Sequence, residues 1–559
     1  MKRSLLKWAL IALFLFSTTA LVFATGGRQP AASTGTPVVQ IGIQQASMVS
    51  DYQNNYLTRY VENLHNVRLD FYVLPQVANE FRTRVALMAA SNDLPETLWT
   101  DSLTRELIQE YGSSGFLVPL NRYFSDASKT PWFNRLAPDD RAILLRDTVS
   151  PDGNNYSFAR YQPITWNMTP YNWYMNNAWL QRLGLQPPKT TDELRTVLIA
   201  FRDRDPNGNG RQDEIPLIGQ YTGGWGQNIV QTLINSFIYY NGTLALDPTG
   251  RTVTAPVTDP AFRQALVYIN GLFRERLIDA STFTLDTNGF RALLNASPPV
   301  IGLTSMGSFG HFTAGTTANP NPTFVAMTPL LPPLRGPGGV AYTPFDEHYA
   351  AQISFITNKA RDVDLIVKIM DSFYEPDLTV IARYGEKDVN WTRDPAVLAG
   401  LSTSYVEMGM YPAVTIAQYS NPNVWSGMNA IIWGNLNPRF TREGGETIAA
   451  VETRGAPPQP YIPGAPSALA HANNYEYYLP ARPQYLLPQL PYTAADGAAL
   501  AQPITNINTY VTQSVAEFVT GTRDINSDAV WNAYLRELDN MGLQNWLRIA
   551  QATFNRLPR

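Results

Sequence analysis

The sequence predicts an α/β fold in two or more domains. Three observations carry that expectation. The chain has 559 residues, more than one hydrophobic core ordinarily serves. Its residues are 44% apolar and 16% charged, enough core material to exclude disorder as the main state. The early part of the chain also alternates between strand and helix periodicities, the pattern of a mostly parallel sheet covered by helices.

The alternation begins at "PVVQIGIQ", residues 37–44, a short apolar strand. "YLTRYVENLH" follows with Leu57, Tyr60, Val61 and Leu64 on one helical face. "VRLDFYVLP" reads as a strand with Val67, Leu69, Phe71 and Val73 on one side. "FRTRVALMAAS" is helical, "LPETLW" opens a strand, and "TRELIQEYGSSG" is a further helix. Aromatics crowd the stretch from Tyr161 to Trp179. Next, Thr190 and Glu193 form a capping box, and Leu194, Val197, Leu198 and Phe201 make the apolar stripe of a surface helix. Farther on, residues 260–279 read as a helix. "PPVIGLTSMGSFG" holds a strand that returns the chain to the first domain, and "AAQISFITNKARDVDLIVKIMDSFY" holds a strand and an amphipathic helix. Residues 455–505, rich in Pro, Ala and Tyr, read as irregular, and helices broken at Gly542 close the chain.

Composition excludes several functions. With a formal charge of −4 and no basic block, the chain lacks the concentrated Lys and Arg that nucleic acid requires. No cysteine is present, which removes disulfides, thiol catalysis and lipid attachment through Cys. Four scattered histidines leave little for a zinc enzyme. At the N-terminus, Lys2, Arg3 and Lys7 precede an apolar run ending in "VFA", a secretory signal over residues 1–24. Residues 25–36 have linker composition. Cleavage after Ala24 leaves 39 basic against 46 acidic residues, a balance of −7. The expectation is an exported, soluble, monomeric protein of the periplasm or exterior, with no Cys anchor.

The sharpest motif is "DPNGNGRQDEIP". Calcium wants six to eight hard oxygens around a tight turn. Asp205, Asn207 and Asn209 occupy positions 1, 3 and 5 of an EF-hand-like loop, Gly210 the turn at 6, Arg211 (through its carbonyl) position 7, and Asp213 position 9. Position 12 is Pro216, where such loops carry a bidentate Glu, so Glu214 is expected to close the shell. "EIPL" reads as extended, not as a second EF helix. A rigid structural Ca²⁺ clip is the simplest role. No nucleophile elbow, HExxH or complete P-loop occurs, and no carboxylate pair stands out for glycoside hydrolysis. The chain is not expected to be an enzyme. A secreted glycan-acting enzyme with structural calcium is the competing expectation.

At "RTRVALMAASNDLPETLW", at "WYMNNAWLQRLGLQPPKTTDELRTVLIAFRDRDPNGNGRQDEIPL" and along the C-terminal helices with Phe518, Gly521 and "MGL" at Met541–Leu543, the chain resembles a known family. It resembles the extracellular solute-binding proteins of ABC sugar importers (family 1), specifically the long members typified by LipO-like and alginate-oligosaccharide-binding proteins. The resemblance implies a periplasmic-binding-protein-like fold of two α/β lobes, an oligosaccharide in the cleft between them, and an ABC permease as partner. It also implies calcium at Asp205, Asn207, Asn209, Arg211, Asp213 and Glu214, away from the sugar. Lobe 1 is expected over 37–163 and 295–348, and lobe 2 over 164–294 and 349–559, with the C-terminal helices. Sugars offer apolar C–H faces to aromatics and hydroxyls to polar groups. Residues of those types near strand ends and crossings are therefore the ligand candidates: Trp99, Asp101, Trp166, Asn167, Tyr171, Trp225, Phe309, Phe345 and Glu347. Trp179, on a helix with Leu180 and Leu183, is assigned to the core. Arg383 and Glu386 read either as polar groups of the cleft or as an ordinary surface turn beside a packed Trp391.

Overall fold

The computed structural model describes residues 35–46, 49–161, 168–222, 225–307, 311, 323, 326–329, 333–345, 350–398, 414–415, 424–425, 440–441 and 474–557. In chain order the strands that build it are β1 (Val38–Gln44), β2 (Arg68–Leu74), β3 (Thr97–Trp99), β4 (Ser157–Tyr161), β5 (Asn172–Asn176), β6 (Ile215–Ile218), the small hairpin of β7 (Ala245–Leu246) and β8 (Val253–Thr254), then β9 (Ile301–Met306), β10 (Met327–Pro329) and β11 (Ala350–Ile356).

Two sheets divide these strands. The first has the order β2-β1-β3-β11-β4. β1 pairs in parallel with both β2 and β3, while β11 runs antiparallel between β3 and β4. The second has the order β10-β5-β9-β6, with β6 parallel and β5 antiparallel to β9. The expected strand–helix alternation is present: helices Tyr56–His65, Ala78–Ala90 and Arg105–Ser113 follow β1, β2 and β3. β2 is an edge strand, so its apolar alternation frays outward. Leu69 is fully buried, whereas Val73 is 47% exposed.

Sheet membership corrects the expected lobe boundaries. β9 lies between β5 and β6, so residues around 301–306 belong to the second lobe and do not return to the first. β11 joins the first sheet, and the helices Val363–Ser372 and Pro376–Tyr384 pack into the first core. The apolar runs of β9 and β11 read alike; only the partner strand distinguishes them. The end of the irregular expectation is corrected too, because residues 494–505 open the helix Ala494–Thr520.

Each lobe has its own core. In the first, Phe158, Phe373, Trp391 and Trp425 are fully buried. In the second, the predicted stripe Leu194, Val197, Leu198 and Phe201 meets Trp179, whose ring stands edge-on to Phe201 at 5.2 Å. The C-terminal helices Ala494–Thr520, Asp528–Asn540 and Leu543–Arg556 close this second core with Phe518, Tyr534 and Ile549. Burying each such side chain stabilises by about 1.5–3 kcal/mol. Among the described residues, no helix is long and apolar enough to cross a membrane.

The chain crosses between lobes at the strand ends. β4 finishes in the first sheet and β5 starts in the second; β10 finishes in the second and β11 starts in the first. A third passage lies between Trp425, packed on Trp99, and Tyr478, whose hydroxyl accepts the Trp173 N–H at 3.1 Å.

Candidate functional site

In open α/β sheets ligands bind outside the carboxyl ends of the strands, where side chains and loops converge without blocking the sheet. In the first lobe that edge holds the ends of β1, β3 and β4 and the start of β11. In the second it holds the ends of β6 and β9 and the start of β5. The first crossing runs from Tyr161 to Asn172, from one such edge to the other. Its ten intervening residues reach at most about 35 Å, so the two edges are tethered to each other.

The first-lobe edge is polar. Asp101 follows β3 by two residues, and its carboxylate lies 3.9 Å from the Arg160 guanidinium, itself almost buried near the end of β4. Beside them the Thr100 hydroxyl donates to Gln44 Oε1 at 2.6 Å, and Gln44 Nε2 donates to the Gln76 carbonyl at 2.8 Å. These bonds hold the last side chain of β1 against the exit of β3. Trp99 is different. It is 1% exposed, with Phe373 and Trp425 centred 5.2 and 5.3 Å from its ring. Its faces are occupied, so it leaves the set of ligand candidates and serves the core.

The second-lobe edge is aromatic. Tyr171 precedes β5 and is half-buried, and burial pushes its phenol above the ordinary range. Trp225, also half-buried, lies in the loop that follows β6. Its carbonyl accepts the Gly307 N–H at 2.8 Å, just past β9. Gly226 adopts φ 75°, and a Cβ there would sit 2.0 Å from the Pro170 carbonyl oxygen. Only glycine fits that left-handed and crowded position. A Cβ at Gly307 would meet the Trp225 ring at 2.6 Å. Trp225 is thus seated against the exits of two strands. Next to it, Gln227 Nε2 lies 2.7 Å from His311 Nε2, and Arg291 Nε donates to His311 Nδ1 at 3.3 Å.

Of the sequence-predicted ligand residues, the structure brings Tyr171 and Trp225 to one edge and Asp101 to the other. Phe345 is 2% exposed in the second crossing segment, with the Arg482 guanidinium 5.5 Å from its ring centre. That cation covers one of its faces, and the expectation of a ring open to ligand is corrected accordingly. Trp166, Asn167, Phe309 and Glu347 lie outside the described residues. Sequence reasoning missed Gln44, Arg160, Gln227, His311 and Arg291. For Gln44 and Arg160 a signal exists, a polar residue at the end of an otherwise apolar strand. None exists for the other three, which meet only through the fold.

The Asp205–Glu214 loop lies at the opposite, amino end of β6. It is fed by the helix Thr191–Asp203, capped by Thr190 Oγ1 accepting the Glu193 N–H at 3.2 Å. Asp205 has φ 45°, and its carboxylate accepts the N–H groups of Gly208, Asn209 and Gly210 at 2.8–3.1 Å. Asn207 Oδ1 accepts from Asn209 N, and Asn209 Oδ1 from Arg211 N. The Asn207 and Asn209 amides donate into Asp213, and these bonds hold its carboxyl below the ordinary range. Both Glu214 carboxylate oxygens are buried and accept no hydrogen bond of ordinary geometry. Burial raises this carboxyl above its usual range, and the Asp205 and Asp213 charges add to the effect. A buried carboxylate without a partner is costly, and a cation is the partner that its acidic neighbours favour. Among the described residues, no group of three or more His, Cys, Asp or Glu side chains forms a metal cluster. The loop reaches six oxygen donors only with two Asn amides and the Arg211 carbonyl.

No family model matches the chain. It is 23% identical over 490 residues to the fructooligosaccharide ABC transporter substrate-binding protein FusA of Streptococcus pneumoniae, covering 85% of this chain and 83% of that one. Over most of its length this chain is similar to an ABC-transporter substrate-binding protein. The fold agrees with solved structures. An HMO-binding, ABC-transporter-associated solute-binding protein of Bifidobacterium longum infantis superposes with a TM-score of 0.71 at 17% identity, covering 93% of this chain and 99% of that one. An EF-hand mutant of FusA in complex with fructo-nystose gives 0.69 at 20% identity, with the same coverage.

Proposed function

We propose that this substrate-binding protein captures an oligosaccharide between the carboxyl edges of its two sheets and delivers it to the permease of an ABC importer. The observation that carries the reading is the chemical division of those edges. Tyr171 and Trp225 stand half-buried on one, and Asp101 stands with Arg160 on the other. Aromatic faces suit the C–H faces of sugar rings, and the polar edge suits their hydroxyls. Trp166, Asn167, Phe309 and Glu347 join the proposed set by their sequence positions at the crossings and beyond β9. FusA's binding of fructo-nystose supports the oligosaccharide class. Ligand contact with both lobes favours a closed state over an open one by its differential affinity.

The proposed calcium ligands are Asp205, Asn207, Asn209, Asp213 and Glu214 through side chains and Arg211 through its carbonyl. The unpartnered Glu214 oxygens and the Asx turns around Asp205 support this set. A bound Ca²⁺ supplies charge neutralisation and stiffness; the loop's own residues orient the oxygens and join the helix Thr191–Asp203 to β6. The protein is proposed to be exported by cleavage after residue 24, to act as a monomer and to catalyse no reaction.

The test is a thermal-shift screen over fructo-, malto-, gluco- and uronic-acid oligosaccharides, followed by calorimetric titration of the hits. The expected result is a raised melting temperature with each sugar recovered intact by chromatography. Cleavage products forming at catalytic rates would sink the reading and support a glycan-acting enzyme.

A further inference from the structure

Gln227 and His311 fix each other's hydrogen-bonding roles. Arg291 Nε donates to His311 Nδ1 at 3.3 Å, so Nδ1 offers a lone pair. A neutral imidazole then carries its proton on Nε2, and the atom 2.7 Å away on Gln227 has to accept it. That atom is therefore the carbonyl oxygen; amide oxygen and nitrogen are exchanged by a simple flip. Gln227 is fully buried, and its backbone carbonyl accepts the Gln220 N–H at 2.9 Å. His311 is further held by Asn295 Nδ2, which donates to its carbonyl at 3.1 Å, and by the Phe290 ring at 6.1 Å. The same loop presents Trp225, tied to β9 through Gly307 N–H and through Ser305 Oγ donating to the Gly226 carbonyl at 2.7 Å.

We propose that His311 is a positioning residue of the binding cleft: as a neutral Nε2–H imidazole it locks Gln227, and through it the segment carrying Trp225, against the exit of β9. The proposal rests on the reading of Trp225 as a ligand-stacking residue. Arg291 is the charged side chain that faces the ring; the helix Thr287–Leu294 and its cap otherwise present Phe290 and Asn295, and the Gly219–Asn228 loop presents neutral Gln227. Protonation at Nδ1 sets the Arg291 and His311 N–H donors against each other and breaks that bond, while the Nε2–H bond to Gln227 is kept. Burial, aided by the Arg291 charge, holds the imidazole below its ordinary pKa. The Arg291–His311 bond is therefore complete above the free-imidazole range and is lost as pH falls through the folded-state value.

The experiment joins two readouts on the full chain. Imidazole ¹⁵N NMR is tractable because only four histidines are present, with His311 assigned by its loss in His311→Gln. The expected tautomer is Nε2–H at pH 7.5; an Nδ1–H tautomer overturns the proposal. Hydrogen exchange measured by mass spectrometry then follows residues 219–228, corrected for the intrinsic pH dependence. His311→Ala is expected to exchange there at least tenfold faster. His311→Gln, which restores a donor but does not titrate, is expected to stay protected with a flat pH profile. Unchanged exchange in His311→Ala overturns the lock even if His311→Gln folds poorly. Kestose serves as the binding probe, with an expected affinity loss of about tenfold in His311→Ala and rescue in His311→Gln. If neither kestose nor any screened oligosaccharide binds, the functional reading fails, while NMR and exchange still decide the lock.

Discussion

At its amino end β6 receives the chain from the Asp205–Glu214 loop, and at its carboxyl end it releases it into the Gly219–Asn228 loop. The four residues between span about 13 Å. The amino-end loop is built from its own side chains: Asp205, Asn207 and Asn209 bond backbone groups two to five residues ahead. The carboxyl-end loop is built from distant ones: Trp225, Gly226 and Gln227 meet Gly307, Pro170 and His311. The first arrangement is stiff before anything binds it. The second depends on the packing of two crossings and a neighbouring strand, as the proposed role in a ligand-binding wall would require. The fold thereby separates the proposed calcium clip from the proposed recognition surface along one short strand.

That separation can be broken from either end. Asp205→Ala removes the acceptor of three backbone N–H groups and should cost on the order of 3 kcal/mol of stability. Calorimetric titration should find oligosaccharide affinity unchanged below the melting point; a matched loss of affinity would join the two ends into one site. Chelation of calcium is next. A cation present at about one hundred times its dissociation constant contributes about 2.7 kcal/mol. Scanning calorimetry with and without chelator should therefore show a lower melting temperature, restored by added Ca²⁺. At the other end, Gly226→Ala forces a strained left-handed residue into contact with the Pro170 carbonyl, a cost of about 1–3 kcal/mol. Oligosaccharide affinity should fall while the chelator-induced shift persists. Trp225→Ala should weaken oligosaccharide binding, the stacking contribution alone being about 0.5–1.5 kcal/mol. Unaltered titrations would remove Trp225 from the wall.

Legibility in the sequence followed the range of the interactions. The helix Thr191–Asp203 was readable because its cap and stripe lie within thirteen residues. The loop after it was readable for the same reason, even to the extended β6 in place of an EF helix. Trp179 was rightly assigned to the core from its neighbours Leu180 and Leu183. Trp99 was not, because nothing near it in sequence announces Phe373 or Trp425. A tryptophan at a strand end looks the same whether its faces are open or covered.

The sequence by itself determined the α/β alternation, the absence of thiol chemistry, the oxygen-rich loop and the helices that close the chain. These rest on periodicity, composition and contacts a few residues apart. Tertiary structure alone decided that β9 belongs to the second sheet and β11 to the first, that Trp99 and Phe345 are covered, and that Gln227, His311 and Arg291 meet. Strand partners and ring neighbours are chosen by the free energy of the whole packed arrangement. Segments of equal hydrophobicity compete for the same positions, and no local pattern records which of them wins.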